Sequence, residues 1–207
     1  MIPKTERESY QMRGQRVMCW SRRVLLICGV LALAYVGFTL ADAWSYQKNA
    51  GLRLDEQIHA QEAHQAVSRP VVKEGDSIGR IEIPKIGLSA IVLEGATWKT
   101  LRRGAGHIEG TAFPGETGNI GIAGHRDTFF RGLKDIRAND EIQIQTSSGV
   151  VRYEVDWIQI TNPADVAVIS PSAGFALTLV TCYPFHYIGA APERYIVHAH
   201  GKTPLAK

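Results

Sequence analysis

The chain reads as mainly β: a closed or nearly closed barrel of seven or eight strands with short helices, preceded by an N-terminal transmembrane helix. Three observations predict this. From Ile78 onward, short apolar runs are separated by Gly, Pro, Asn and Asp, the texture of many strands joined by tight turns. The helical stretches in that part of the chain are only a few residues long. Residues 24–41, "VLLICGVLALAYVGFTLA", are eighteen consecutive uncharged residues set directly behind a basic cluster.

Residues 1–23 form the basic tail, with Lys4, Arg7, Arg13, Arg16, Arg22 and Arg23 against two glutamates. The uncharged run makes a helix of about 27 Å at ~1.5 Å per residue, close to the hydrocarbon thickness of a bilayer. Trp20 and Trp44 flank it, where indole rings favour the membrane interface. It has no polar face, which argues against a buried core helix. Residues 24–43 are therefore expected to anchor the chain in the cell membrane by a single pass. Basic charge ahead of the span predicts a cytoplasmic N-terminus and an extracytoplasmic remainder. Ala41-Asp42-Ala43 also fits a small-x-small signal-peptide cleavage site, but the apolar run exceeds the usual ~7–15 residues of a signal core. Residues 44–75 are polar, and "LDEQIHAQEAHQAV" favours helix. This segment is expected to be a helical or loose stalk ending near Arg69-Pro70.

Residues 76–207 are expected to form the barrel domain. "GRIEIP" alternates, with Ile81 and Ile83 on one face, and "SAIVLEG" follows a Gly-containing turn. "GNIGIAGH" is entered through the turn-rich "PGETGN". "EIQIQT" puts Ile142 and Ile144 on one face. "VVRYEVDW" puts Val151, Tyr153, Val155 and Trp157 inward, after which Ile158 and Ile160 take the opposite parity, so a bulge is expected near Trp157. "ALTLVTC" and "RYIVHAH" complete the strands. Short helical pieces are expected around 97–103, 129–134 and 164–168. The domain carries equal numbers of basic and acidic side chains, so the net charge of +3 comes from the N-terminal part. A phosphate-tracking surface is not indicated, and nucleic acid is not an expected partner.

With this topology Cys182 is the sole cysteine outside the membrane, since Cys19 and Cys28 belong to the tail and span. An odd exported cysteine is an intermolecular link, a reactive thiol or a buried filler. Pro184 lacks an amide hydrogen, so the strand should end just after Cys182, where loops and clefts begin. A nucleophilic thiol also needs a base and an anion stabiliser. His125 closes "GNIGIAGHRD" at another strand end, and Gly124 permits close backbone approach there. His107 in "GAGHIEG" is its rival, a second Gly-flanked histidine. His198 and His200 share strand parity with Arg194 and read as barrel-face residues. His59 and His64 fall in the stalk. Arg194 opens the last strand, and the eleven-residue loop 183–193 makes that strand a neighbour of the Cys182 strand. That places the guanidinium across from the thiol.

The segments "GIAGHRDTFFRGL", "TLVTC" and "APERYIVHA", in that order on a β-rich domain behind an N-terminal anchor, resemble the signature segments of sortases, the membrane-anchored cysteine transpeptidases of the bacterial envelope. The wording is most similar to class D sortases, over about residues 76–202. The resemblance implies an eight-stranded sortase-type β-barrel. It implies Cys182 as nucleophile, His125 as general acid/base, and Arg194 as oxyanion or substrate stabiliser. It further implies cleavage of a C-terminal sorting signal of the Leu-Pro-x-Thr-Gly kind, or a variant ending in Ala, after the Thr. The acyl group would pass through a thioester on Cys182 to an amine acceptor in the cell envelope. Thr181, Val166, Val168 and Ile169 are expected to line the groove for the sorting signal. No cofactor and no metal-ligand spacing are expected. The partners expected are secreted proteins bearing the signal. A papain-like peptidase would need Cys before His on a larger fold. An L,D-transpeptidase would carry Ser-x-Gly-Cys, whereas Thr181 precedes Cys182 here. A non-catalytic, envelope-anchored β-barrel binding module is the remaining alternative.

Overall fold

The computed structural model describes the backbone of residues 4–62 and 72–202, with side chains described at Trp20, over 22–54 and over 72–202. His59, His64, the basic side chains ahead of Arg22, and the stalk end near Arg69-Pro70 lie outside the described side chains. The chain divides after Asp42 into two units.

The first unit is helical, the early part of α1 (Lys4–Glu62). Its large apolar side chains, Leu25, Leu33 and Phe38 among them, are exposed. Among the described residues, the stretch Arg22–Leu54 of α1 is the one long and apolar enough to cross a membrane.

The second unit is built on eight strands: β1 (Ser77–Ile83), β2 (Leu88–Glu94), β3 (Ala105–His107), β4 (Gly118–Gly124), β5 (Glu141–Thr146), β6 (Gly149–Thr161), β7 (Phe175–Tyr183) and β8 (Glu193–Gly201). They close a barrel in the order β1-β2-β3-β4-β7-β8-β6-β5. Two pairs are parallel, β2 with β3 and β4 with β7. Parallel partners need a long connection. The first is bridged through the single-turn α2 (Trp98–Leu101), the second by the β5–β6 hairpin and the loop after it.

Strand alternation fills the barrel. Ile81, Ile83, Ile120, Ile122, Ile142, Ile144, Tyr153, Leu177, Leu179 and Val197 are buried in one cluster. Their odd- or even-numbered neighbours therefore face outward. β2 departs from alternation because both faces are covered. Ala90 and Val92 join the interior, while Ile91 and Leu93 pack outside against Ala50 and Leu54 of α1. The helix thus runs to Glu62, into the segment expected as a stalk, and packs on β2 through Ala50 and Leu54. Gln47 Oε1 accepts the Ile91 amide at 2.8 Å, its amide nitrogen donates to the Arg103 carbonyl, and Tyr46 Oη donates to the Gly75 carbonyl at 3.0 Å.

Two expectations need correction. The register shifts between Val155 and Trp157, as a bulge requires, but Asp156 is the extra residue and Trp157 turns outward rather than inward. Its ring stacks on His198, with centroids 4.8 Å apart. The segment around His107, which is not among the expected strands, supplies the eighth strand. β3 is three residues long, too short to show a period of two. The expected helical pieces appear as α2 and as 3₁₀ turns at Arg131–Asp135 and Val166–Ile169.

Candidate active site

Three adjacent strands bring His125, Cys182 and Arg194 together. Interior positions of β7 are Leu177 and Leu179, so Thr178, Val180 and Cys182 face outward. On β8, Val197 and Ala199 face inward, so Arg194 faces outward. In the antiparallel β7–β8 register Cys182 is the direct partner of Arg194. In the parallel β4–β7 register Gly124 is opposite Thr181, which leaves His125 at the level of Cys182. Neighbouring strands lie about 4.8 Å apart. The three residue types therefore stand side by side on the outer wall, at one end of the barrel. All three line one open cavity of about 300 Å³, with Arg126, Asp127, Gly189, Ala190 and Ala191.

Local structure fixes each of them. Thr181 is buried and its Oγ1 donates to the Gly124 carbonyl at 2.7 Å, pinning the strand ends that carry the thiol and the imidazole. Gly124 is demanded by packing. A Cβ there would lie 2.6 Å from Cδ2 of the fully buried Phe130 ring. The Phe130 amide in turn donates to the His125 carbonyl at 3.0 Å, closing the turn after β4. The His125 ring meets Trp98 edge-on, with centroids 5.2 Å apart, and its Nε2 is buried without a hydrogen-bond partner. Buried polar atoms are ordinarily satisfied, so this nitrogen has hydrogen-bonding capacity left for a ligand or a water. Arg194 Nη1 donates to the carbonyls of Glu193 at 3.0 Å and Ala191 at 3.4 Å. At the start of the β7–β8 loop Tyr183 stacks on Tyr195, and Phe185 meets both rings edge-on. Burial, chiefly, pushes the Tyr195 phenol above its ordinary range; the Arg137 charge opposes this, while Tyr183 and Asp135 reinforce it.

Arg126 has no counterpart in the sequence reading. Its Nη2 donates to the carbonyls of Tyr187 at 2.6 Å and Gly189 at 3.1 Å, tying the β7–β8 loop to the residue beside His125. Its Nη1 is buried and unpartnered. The available signal was a charged pair, Arg126-Asp127, directly after a candidate base. Trp98 was similarly hidden, because only the fold brings α2 to His125.

Other expected residues lie elsewhere. Thr181 faces the interior, as strand alternation next to Cys182 requires, and supports the site from behind rather than lining the cavity. Val166, Val168 and Ile169 form the 3₁₀ turn of the β6–β7 loop and do not line the cavity either. That turn is held against the outer face. Asn119 Nδ2 donates to the Val168 and Ser170 carbonyls, both at 3.2 Å, and Thr178 Oγ1 donates to Asn119 Oδ1 at 2.9 Å and to the Val168 carbonyl at 3.1 Å. Thr178 precedes Cys182 by four residues, about 13 Å along the strand. His107 is 1 % exposed and away from the cavity. Its Nδ1 pairs with Glu94 at 2.8 Å and its Nε2 lies 3.0 Å from the Ala112 carbonyl. Such a ring is a structural pillar. His198 and His200 both contact Asp156 on the barrel face. Among the described residues, no group of three or more His, Cys, Asp or Glu side chains is placed to hold a metal ion.

Comparison with known proteins gives a consistent result. A model of the sortase domain matches residues 81–202. Sortase D of Bacillus subtilis is 32% identical over 192 residues, covering 86% of this chain and 96% of that protein. The solved Sortase D5 transpeptidase of Clostridium perfringens superimposes with a TM-score of 0.63 at 30% identity, covering 78% of this chain and 99% of that one. Sortase C from C. perfringens SM101, at 23% identity and a TM-score of 0.59, shares the fold.

Proposed function

This chain belongs to the sortase family, and on that premise we propose that it is a membrane-anchored cysteine transpeptidase working through Cys182, His125 and Arg194. The observation that supports the reading is the convergence of thiol, imidazole and guanidinium, from three neighbouring strands, on one open cavity. The Cys182 sulfur, as thiolate, attacks the carbonyl carbon of the Thr in a C-terminal sorting signal, of the Leu-Pro-x-Thr-Gly kind or a variant ending in Ala. The oxygen of the tetrahedral adduct takes the negative charge, and Arg194 donates to it. The C–N bond then breaks. His125 delivers a proton to the departing amine, leaving a thioester on Cys182. An amine acceptor in the envelope gives its proton to His125, attacks the thioester carbonyl and expels the thiolate. The new amide bond replaces the one broken, so no oxidant or cofactor is consumed.

The anchor is the apolar part of α1, with the basic tail on the cytoplasmic side and the barrel outside. Its proteins of interest are secreted chains that carry the signal. The β6–β7 loop, through Val166, Val168 and Ile169, is the proposed wall for the Leu-Pro part of the peptide.

The test is transpeptidation of a fluorogenic sorting peptide with an added amine, together with mass spectrometry of the protein–peptide mixture. Cys182→Ala is expected to abolish both product and acyl-enzyme while the fold persists. Turnover that survives this change rejects the nucleophile. His125→Ala and His107→Ala, run in parallel, assign the base. A loss confined to the second moves the role to His107. A wild-type chain that never forms a thioester with any sorting peptide is a binding module instead.

A further inference from the structure

The terminal donors of Arg126 are half used. A guanidinium carries two N–H groups on each terminal nitrogen. Those on Nη2 go to the Tyr187 and Gly189 carbonyls, at 2.6 and 3.1 Å. The Tyr187 ring also lies near the charge, its centroid 5.9 Å from Cζ. Nη1 is screened from solvent and, among the described residues, has no hydrogen-bond partner. Asp127 lines the same cavity, yet Nη1 makes no bond to it. A buried donor left unmet costs stability, and more when it belongs to a charged group. Beside a reaction cavity, such a donor gains a partner when a ligand oxygen arrives.

Position identifies that oxygen. The strand order β4-β7-β8 sets His125 on one side of Cys182 and Arg194 on the other. With an acyl carbon at the Cys182 sulfur, the acyl oxygen belongs on the Arg194 side and the amine nitrogen on the His125 side. Arg126 follows His125 directly and lines the cavity with it. The incoming amine, which gives its proton to His125, is therefore seated beside Arg126.

We propose that Arg126 is a specificity-determining residue for the acceptor. Its Nη1 donates to a carbonyl oxygen on the carbon next to the one bearing the amine. An α-amino acyl group, as at a peptide N-terminus, is thus preferred to an amine with no such carbonyl. The inference rests on the catalytic reading of Cys182 and His125. Arg126 donates a hydrogen bond and transfers no proton, so the bond changes remain those of the acyl transfer. The β7–β8 loop, whose Ile188 is 97% exposed, shifts outward slightly to admit the oxygen.

Acyl transfer from a fluorogenic sorting peptide to glycinamide and to ethylamine tests this, each acceptor supplied at the same concentration of free base. Ethylamine has a methyl where glycinamide has its amide group. The reaction of both amines with a simple thioester in solution corrects for their different nucleophilicity, and mass spectrometry follows the acyl-enzyme. The wild type should favour glycinamide beyond that reference by about tenfold, the effect of one charge-assisted hydrogen bond. Arg126→Gln should return the ratio to the reference. Arg126→Lys, which keeps the charge without the planar fork, should lie between. Loss of the loop clip alone would slow both acceptors alike and leave the ratio untouched. A wild-type ratio equal to the reference overturns the proposal, and this arm needs no variant to fold. So does a ratio that stays at the wild-type value in both variants. In either case acyl-enzyme that still forms leaves the catalytic reading standing. A wild type that forms no acyl-enzyme overturns that reading and the proposal with it.

Discussion

Thr181 illustrates how single residues hold this site without touching a substrate. Its hydroxyl meets the Gly124 carbonyl from inside the barrel, and the two residues it joins each precede a member of the trio. Thr181→Val keeps the shape and removes the donor. It is expected to cost about 1 kcal/mol of stability and to lower kcat, with Thr181→Ser restoring both; denaturant melts and peptide turnover measure the two effects. Equal kcat in all three proteins would deny Thr181 a positioning role. Tyr153 makes a different prediction. It is fully buried, and burial pushes its phenol far above the ordinary 10.0. The folded chain therefore holds this proton more tightly than the unfolded one. Its contribution to stability is complete below pH 10 and falls as pH rises toward the folded value. Tyr153→Phe should flatten the alkaline loss of stability above pH 10, read from urea denaturation at neutral and alkaline pH. An unchanged alkaline slope would show that another group controls it.

At the scale of elements, the β6–β7 loop is moored by very few bonds. Thr178 and Asn119 on the outer faces of β7 and β4 hold the carbonyls of Val168 and Ser170. Thr178→Val leaves Asn119 Oδ1 and the Val168 carbonyl without that hydroxyl. Stability is expected to drop by about 1–2 kcal/mol. If the loop receives the sorting signal, KM for the peptide should rise several-fold with kcat nearly unchanged, the signature of lost ground-state binding. A fall in kcat at constant KM would place the loop's effect on the chemistry instead. The same scale explains which elements were legible. The long alternating strands around Ile81, Ile142 and Leu177 announce themselves by period. β3 does not, because three residues contain no period, and its partners β2 and β4 are what make it a strand. Trp157 was misread because a strand's parity holds only until a bulge, and the bulged residue, Asp156, is polar on either reading.

For the whole molecule, the docked end of α1 is part of the barrel's packing rather than a passive spacer. Ala50 and Leu54 are buried against Ile91 and Leu93. A fragment beginning at Ala43 should be more stable than one beginning at Val72 by about 3–5 kcal/mol, since the shorter one exposes two large apolar side chains of β2 and loses Leu54. Thermal melts of the two fragments check this, and coincident midpoints would reduce the docking to a surface contact. The amino-acid sequence by itself determined the class of fold, the long apolar N-terminal helix and the identity of the thiol, imidazole and guanidinium candidates. These depend on hydropathy period, on charge placement and on residue chemistry, all of which are local along the chain. The tertiary structure alone decided that His125 rather than His107 shares a cavity with Cys182, that Arg126 clips the β7–β8 loop, and that Thr181 faces away from the site. Those facts depend on which strands become neighbours and in what register, and register is fixed by burying the whole interior at once, not by any one segment.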